Sequence, residues 1–385
     1  MRILVITEFL RDQCRNGSEV FSRDLIAALG RRHHIDVLAT KTDADLPSVT
    51  YGLPPTALKD SRALATFLEE RIEPGRFDLI YNLGALAFGC GIVQVIAHRL
   101  GTTRLVNHFQ ALLGPYAKRQ GSSEAMQAHV ARCQTDAAGH AAMNIFASAD
   151  ELRTALVHGF PLERGSVAVV RNGLSLVPFD TVVPWKPEVG PISTGEPVLI
   201  VAAGRLQDRV KGASLVARGF KLLHREHPEV RLVCAGPSQR FRHHLSALPA
   251  GSAIFHEWVE RDRLLALFAA ADMVVVPSLY EPFGLVALEA QLLGVPVIAN
   301  DVGGLGEIVR HGRTGLLNPL RNGSLGLYLA MRSLVRHPDE ARRMGAEARQ
   351  WARSRYDINA VAEELEGHLE RARLSHFALE PRCSP

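Results

Sequence analysis

Short apolar runs alternate with segments of helical periodicity along this chain, and the pattern stops once and starts again. The first set is RILVIT (2–7), IDVLA (35–39), DLIYNL (78–83), RLVNH (104–108), NIFAS (144–148) and VAVVR (167–171). Most lack a two-residue alternation, as parallel strands buried on both faces do. Between them lie stretches such as SEVFSRDLIAALGRR, with apolar residues at helical spacing. Repeated βαβ units of this kind build a doubly wound α/β sheet. From Pro178 to Pro197 the periodicity lapses, and five prolines and two glycines mark a linker. The pattern resumes with PVLIVAAG (197–204), VRLVCAG (230–236), AIFHEW (253–258), DMVVVPS (272–278) and VPVIAN (295–300). After Gly345 the chain reads as helical and charged to about Ser375, with a frayed tail. Two α/β lobes, 1–180 and 181–355, should face each other across a cleft, where ligands of such folds sit.

Composition narrows the function. A chain of 385 residues suits two domains, and 47% hydrophobic with 22% charged residues describes an ordinary globular protein. A net charge of +4 permits an anionic ligand, but no Lys/Arg block is dense enough for a nucleic-acid surface. Arg31-Arg32-His33-His34 reads as a solvated helix end. Cys14, Cys90, Cys133, Cys234 and Cys383 are scattered and odd in number, which points to reduced thiols in a cytoplasm. The apolar run after Met1-Arg2 ends at Glu8, so no signal peptide is expected. The uncharged stretch from Leu83 to Ala97 is too short for a membrane span.

One segment carries an unusual carboxylate. In SLYEPFGLVALEAQLLGVPVIAN (278–300), Glu289 stands among Val286, Ala287, Leu288, Ala290, Leu292 and Leu293. A helix apolar nearly all round is expected to be buried, and a buried carboxylate needs a partner. With a helix beginning near Phe283, Glu289 falls two turns in, where it either accepts from a diol or shares a wet stripe with Gln291. From this stretch alone both readings stand open. Glu281 precedes the helix at the strand's end, and the amides of Phe283, Gly284 and Leu285 would be free for an anion or for hydroxyls. AAGRLQDRVKG (202–212) places Arg205 and Lys211 at the same sheet edge, a fork and a point charge suited to a diphosphate. Gly236 ends a strand and allows close backbone approach, and Gly303-Gly304 suggests another phosphate approach. Together these strand-end features describe a nucleotide-diphosphate site.

At this point the chain resembles the retaining nucleotide-sugar glycosyltransferases of the GT-B fold, family four (group 1). The resemblance rests on Glu281-Pro-Phe-Gly-Leu-Val-Ala-Leu-Glu289, on GRL…KG with Arg205 and Lys211, on VVRNGL (169–174) and on GG…EIV (303–309), and it spans roughly residues 1 to 355. It implies that Glu281 holds donor-sugar hydroxyls, that Phe283, Gly284 and Leu285 offer amides, and that Glu289 accepts from the ribose diol. Arg205 and Lys211 would neutralise the diphosphate, with Gly17 and Gly236 bringing backbone close. Trp258 and Val259 would flank the base, and His108 would lie near the reacting sugar. It further implies a C-terminal helix within 356–385 that packs back toward the first lobe. The donor would be a nucleoside-diphosphate sugar, UDP-linked in preference to GDP-mannose, used without a metal or other cofactor.

Departures from the family pattern fall at Asn16 before Gly17, at Glu257 before Trp258 and at Gly306. Asp43-Ala44-Asp45 spells a metal-binding DxD of another transferase fold but sits in a polar loop of the wrong lobe and reads as a solvated turn. The region from Pro115 to Met143, where lipid-modifying members carry a basic helix, has little net charge, so a soluble small-molecule acceptor is favoured over a membrane lipid. The alternatives are a sugar-nucleotide epimerase on the same scaffold and a non-catalytic nucleotide-sugar binder. The lack of GxGxxG after the first strand argues against a dinucleotide oxidoreductase.

Overall fold

The structure is a computed structural model and describes residues 1–10, 17–42, 50–52, 61–84, 104–162, 166–188 and 196–375. Asn16, Cys14, Cys90, Cys383 and the Asp43-Ala44-Asp45 triplet lie outside these described residues. Thirteen strands form two sheets among the described residues. In the first lobe β1 (Arg2–Leu10), β2 (His34–Thr42), β3 (Thr50–Gly52), β4 (Leu79–Leu83), β5 (Leu105–Phe109), β6 (Met143–Phe146) and β7 (Ser166–Val169) lie in the order β3-β2-β1-β4-β5-β6-β7. In the second, β8 (Val198–Ala203), β9 (Val230–Ala235), β10 (Ala253–His256), β11 (Met273–Val276), β12 (Val297–Asn300) and β13 (Gly315–Asn318) lie in the order β10-β9-β8-β11-β12-β13. Every pairing within the sheets is parallel.

The central strands explain why periodicity gave so clear a reading. All residues of β4, β5 and β9 are buried, so their sequences show no polar face. The sequence reading omits the edge strands β3, of three residues, and β13, whose Gly-Leu-Leu-Asn opens and closes on residues that read as turns. The C-terminal helices also begin earlier than Gly345, at Gly323 and Pro338.

Each sheet reverses its strand order beside its first strand, β1 or β8. Ligands of open α/β sheets bind at the carboxyl ends of strands flanking such a reversal. Helix Ile358–Leu374 ties the lobes together. Its Ile358, Val361, Ala362, Leu365, Leu369 and Ala372 recur at helical spacing and pack with Ile3, Val5, Phe21 and Leu25 of the first lobe. Each fully buried Leu or Ile there contributes about 1.5–3 kcal/mol. The helix enters through a close crossing: Leu174 N donates to Tyr356 O at 2.9 Å and Ile358 N to Leu174 O at 3.1 Å. Gly173 is required at that crossing, since a Cβ would stand 2.9 Å from the Tyr356 carbonyl oxygen.

Candidate active site

A cleft of about 780 Å³ separates the two sets of strand ends, and both lobes line it. The first lobe contributes the ends of β4 and β5 and the start of helix Gly17–Leu29; the second contributes the turns after β8, β9 and β11 and the start of helix Leu285–Leu292. Gly17, His108, Arg205, Lys211, Gly236, Trp258, Val259, Glu281, Phe283, Gly284, Leu285 and Glu289 all line this one space. Gly17 is where the lobes meet, because a Cβ there would stand 2.8 Å from Leu285 Cδ1. Two helix N-termini therefore converge on the cleft, and their dipoles favour an anion between them.

The loop before the second of these helices is held by packing. Gly284 adopts φ +116°, and a side chain there would run into Leu305 at 2.7 Å. The helix begins at Leu285 rather than near Phe283, so Glu289 stands one turn in, not two. Glu289 is 4% exposed and ion-paired to Arg261, a partner the local sequence does not signal. The wet-stripe reading is corrected here: Gln291 is fully buried and donates to Thr314 Oγ1 at 3.1 Å. Gly303-Gly304 is corrected too. Neither lines the cleft; their missing side chains admit the 281–283 backbone, with Glu281 O 2.0 Å from a Cβ at 303 and Phe283 Cα 2.5 Å from one at 304. They hold the 281–283 loop rather than face the cleft themselves.

The charges are paired across the cleft floor. Lys211 Nζ meets Glu281 Oε2 at 2.8 Å, and the same oxygen accepts from Ser278 Oγ at 3.0 Å. Gly212, at φ +60°, seats the Lys211 turn where a Cβ would collide with Pro277 O at 2.0 Å. Arg205, more exposed, pairs with Asp208 at 3.2 Å and donates to the Tyr116 hydroxyl at 3.1 Å. Tyr116 is a first-lobe residue, so this contact spans the cleft. Glu257 leans away, to Arg242 at 2.8 Å. Gly306 lies outside the lining, where a Cβ would approach Asp301 Oδ1 at 3.0 Å.

His108 is 1% exposed, and its Nδ1 lies 2.6 Å from the hydroxyl of buried Tyr81. A buried phenol must donate its proton, and Nδ1 is its acceptor here, which assigns the imidazole proton to Nε2. Burial pushes the imidazole down to about 3, with the Val170 carbonyl a weaker opposing influence. His108 is therefore neutral across the working pH range and lines the cleft, with the Val170 carbonyl competing for its ring N–H. It can hold a hydroxyl oxygen but not shuttle a proton.

Residues that the sequence reading does not name lock the lobes around the loop. Tyr280, one residue before Glu281, donates to Glu151 Oε1 at 2.6 Å, and Leu112 N donates to Glu151 Oε2 at 3.1 Å. Ser148 caps helix Ala149–Val157 by accepting from Glu151 N and donates its own proton to Pro282 O at 2.8 Å. Glu307 of the second lobe accepts from the amides of Ala149 and Asp150 and pairs with Arg171 at 3.1 Å. The Ser-x-x-Glu spacing of Ser148 and Glu151 signals a helix start, but not that the glutamate turns away to the other lobe.

Burial pushes the Glu151 carboxyl up to about 7, against the lowering effect of its Tyr280 and Leu112 bonds. A carboxyl with a folded pKa above its ordinary 4.5 holds its proton more tightly in the native state, so its stabilisation is complete below that value and is lost as pH rises through 7. The difference amounts to roughly 3 kcal/mol. Urea unfolding of Glu151→Gln and the parent should show the variant gaining about that much relative stability between pH 4.5 and 8. A difference independent of pH contradicts this account of the junction.

Two parallel α/β lobes with a charged cleft at their facing strand ends define the GT-B architecture. The structure of Anabaena HepE in complex with UDP-glucose shares it, with a TM-score of 0.75 at 20% identity, covering 96% of this chain and 100% of that one. The chain belongs to the group 1 glycosyl transferases. That family's description matches residues 188–351, and a D-inositol 3-phosphate glycosyltransferase of Streptomyces avermitilis is 31% identical over 330 residues, 79% of this chain and 69% of that enzyme. A glycogen synthase of Mycobacterium tuberculosis is 35% identical over 206 residues, 51% of this chain but only 46% of its own length. Among the described residues no helix is long and apolar enough to cross a membrane, and no cluster of three His, Cys, Asp or Glu side chains suits a metal ion.

Proposed function

We propose that the protein is a retaining glycosyltransferase that moves a hexosyl group from a nucleoside-diphosphate sugar to a hydroxyl of a soluble small-molecule acceptor, without a metal ion. A UDP-sugar is the favoured donor and GDP-mannose the second. The observation that carries this reading is the 2.8 Å contact of Lys211 with Glu281 between two helix N-termini. In this reading a diphosphate-binding cation stands beside a carboxylate able to accept from sugar hydroxyls, and both lie near the bond to be broken. That bond joins the anomeric carbon to the diphosphate oxygen. As it breaks, Lys211, Arg205 and the amides of Phe283, Gly284 and Leu285 stabilise the departing charge. The acceptor oxygen bonds to the anomeric carbon on the same face, and its proton passes to the departing diphosphate. His108 donates from Nε2 to a sugar hydroxyl, and Glu289, already held by Arg261, accepts from the ribose diol. Gly17 and Gly236 admit the diphosphate, and Trp258 and Val259 flank the base. Cys133 and Cys234 are buried as thiols rather than joined in disulfides, which suits a cytoplasmic setting. Proton NMR of the first product formed from an α-linked donor should show an α linkage. A β linkage overturns retention, and donor consumed without any acceptor identifies an epimerase instead.

A further inference from the structure

Among the described residues, the first-lobe wall of the cleft carries five neutral amides, Asn82, Asn107, Gln110, Gln134 and Asn172, beside Glu8, His108 and Tyr116. Their orientations are set from behind. Asn107 Nδ2 must donate to the Ala137 carbonyl at 2.9 Å, so its Oδ1 faces Asn82 and accepts from Asn82 Nδ2 at 2.9 Å. Asn144, fully buried one strand further on, joins the ladder by donating to Ala138 O at 3.0 Å. This chain leaves Asn82 one possible orientation, with Oδ1 on the side away from Asn107. Asn82 is 6% exposed, and that oxygen is buried with no hydrogen-bond partner. Nearby, Asn172 Nδ2 donates to Gln110 Oε1 at 2.8 Å. Asn172 Oδ1 and Gln110 Nε2 are left as a second unpartnered acceptor and donor.

Buried polar atoms without partners are costly, and an amide carbonyl is satisfied only by a group that donates. Phosphate oxygens at neutral pH carry lone pairs and negative charge, and they would oppose Asn82 Oδ1. Hydroxyls both donate and accept, which matches a wall of alternating carbonyl oxygens and N–H groups. Among the described lining residues the cations, Arg205, Lys211 and Arg261, all come from the second lobe and already face carboxylates.

We infer that Asn82, oriented by Asn107 and Ala137, forms with Gln110 and Asn172 an acceptor subsite for the hydroxyls of an uncharged polyol or sugar, which discriminates against a phosphate group at that position. The inference rests on the donor occupying the second-lobe side, as proposed above. It makes the amide ladder a specificity element: a site built to hydrogen-bond hydroxyls rejects analogues that cannot return those bonds.

The test measures transfer from UDP-glucose and GDP-mannose to matched pairs of acceptors, free glucose with glucose 6-phosphate and myo-inositol with its monophosphate. Calorimetry with UDP and GDP runs in parallel. The neutral member of a pair should have the higher kcat/KM by at least tenfold. Asn82→Leu should raise the KM for the neutral acceptor tenfold or more and leave nucleotide affinity unchanged. Should Asn82→Leu misfold, Gln110→Met, at a less buried position, should raise the same KM severalfold. Nucleotide binding combined with a preference for the phosphorylated acceptor, with no transfer to any neutral one, or with an unmoved acceptor KM in a folded variant overturns the subsite alone. Absence of nucleotide binding removes the functional reading beneath it.

Discussion

Lys211→Ala should lower the rate of sugar transfer by about a hundred- to a thousandfold, the equivalent of about 2.7–4 kcal/mol of transition-state stabilisation. Lys211 is 23% exposed and held at 2.8 Å from Glu281, so its charge is fixed before the donor arrives and needs no reorganisation as the leaving group develops. The loss should fall mainly on kcat, because the diphosphate gains charge only as the glycosidic bond breaks. Arg205→Ala should cost a similar factor even though Arg205 is 60% exposed, since its guanidinium is aimed by Asp208 and Tyr116. A double replacement of Asp43 and Asp45 by alanine should be nearly silent. Initial rates with a matched donor and acceptor decide between these outcomes. A dead double aspartate variant beside an active Lys211→Ala would move the leaving-group chemistry out of the second lobe.

Glu289→Leu should produce two separable losses. It removes the proposed ribose partner, and it strands Arg261, whose side chain is only 17% exposed. Breaking a fully buried ion pair costs about 3–5 kcal/mol; Arg261 retains a path to water, so roughly 2–3 kcal/mol is expected here. Adding Arg261→Leu should restore most of that stability without restoring nucleotide binding. Glu289→Gln, which still accepts, should be milder on both counts. Urea denaturation reads the first loss and calorimetry the second. A Glu289→Leu variant that binds nucleoside diphosphate like the parent would leave the pair as a purely structural element.

These residues also show how far the sequence could be read. The parallel strands were legible because burial on both faces leaves short continuous apolar runs, and the edge strands β3 (Thr-Tyr-Gly) and β13 (Gly-Leu-Leu-Asn) were not, because their glycine and asparagine read as turns. The residues that line the cleft stand at strand ends and helix starts, where the order of elements alone brings them to one side of each sheet. Their partners were invisible for the opposite reason. Arg261 lies 28 residues from Glu289, and Glu151 lies 129 from Tyr280, and no local pattern encodes such pairings. Gly303-Gly304 shows the intermediate case. Two adjacent glycines correctly signalled a close backbone approach, but the approaching group is the 281–283 loop and not a ligand.

Calorimetric titration of the full chain with UDP and GDP in excess EDTA tests the central claim most directly, with Lys211→Ala and Glu289→Leu measured alongside. The parent should bind one of the two nucleotides at a single site with no divalent cation present, and both variants should bind it at least tenfold more weakly. Binding that appears only when manganese or magnesium is supplied, or that is untouched by both substitutions, would contradict the placement of the diphosphate between Arg205, Lys211 and the helix start at Leu285.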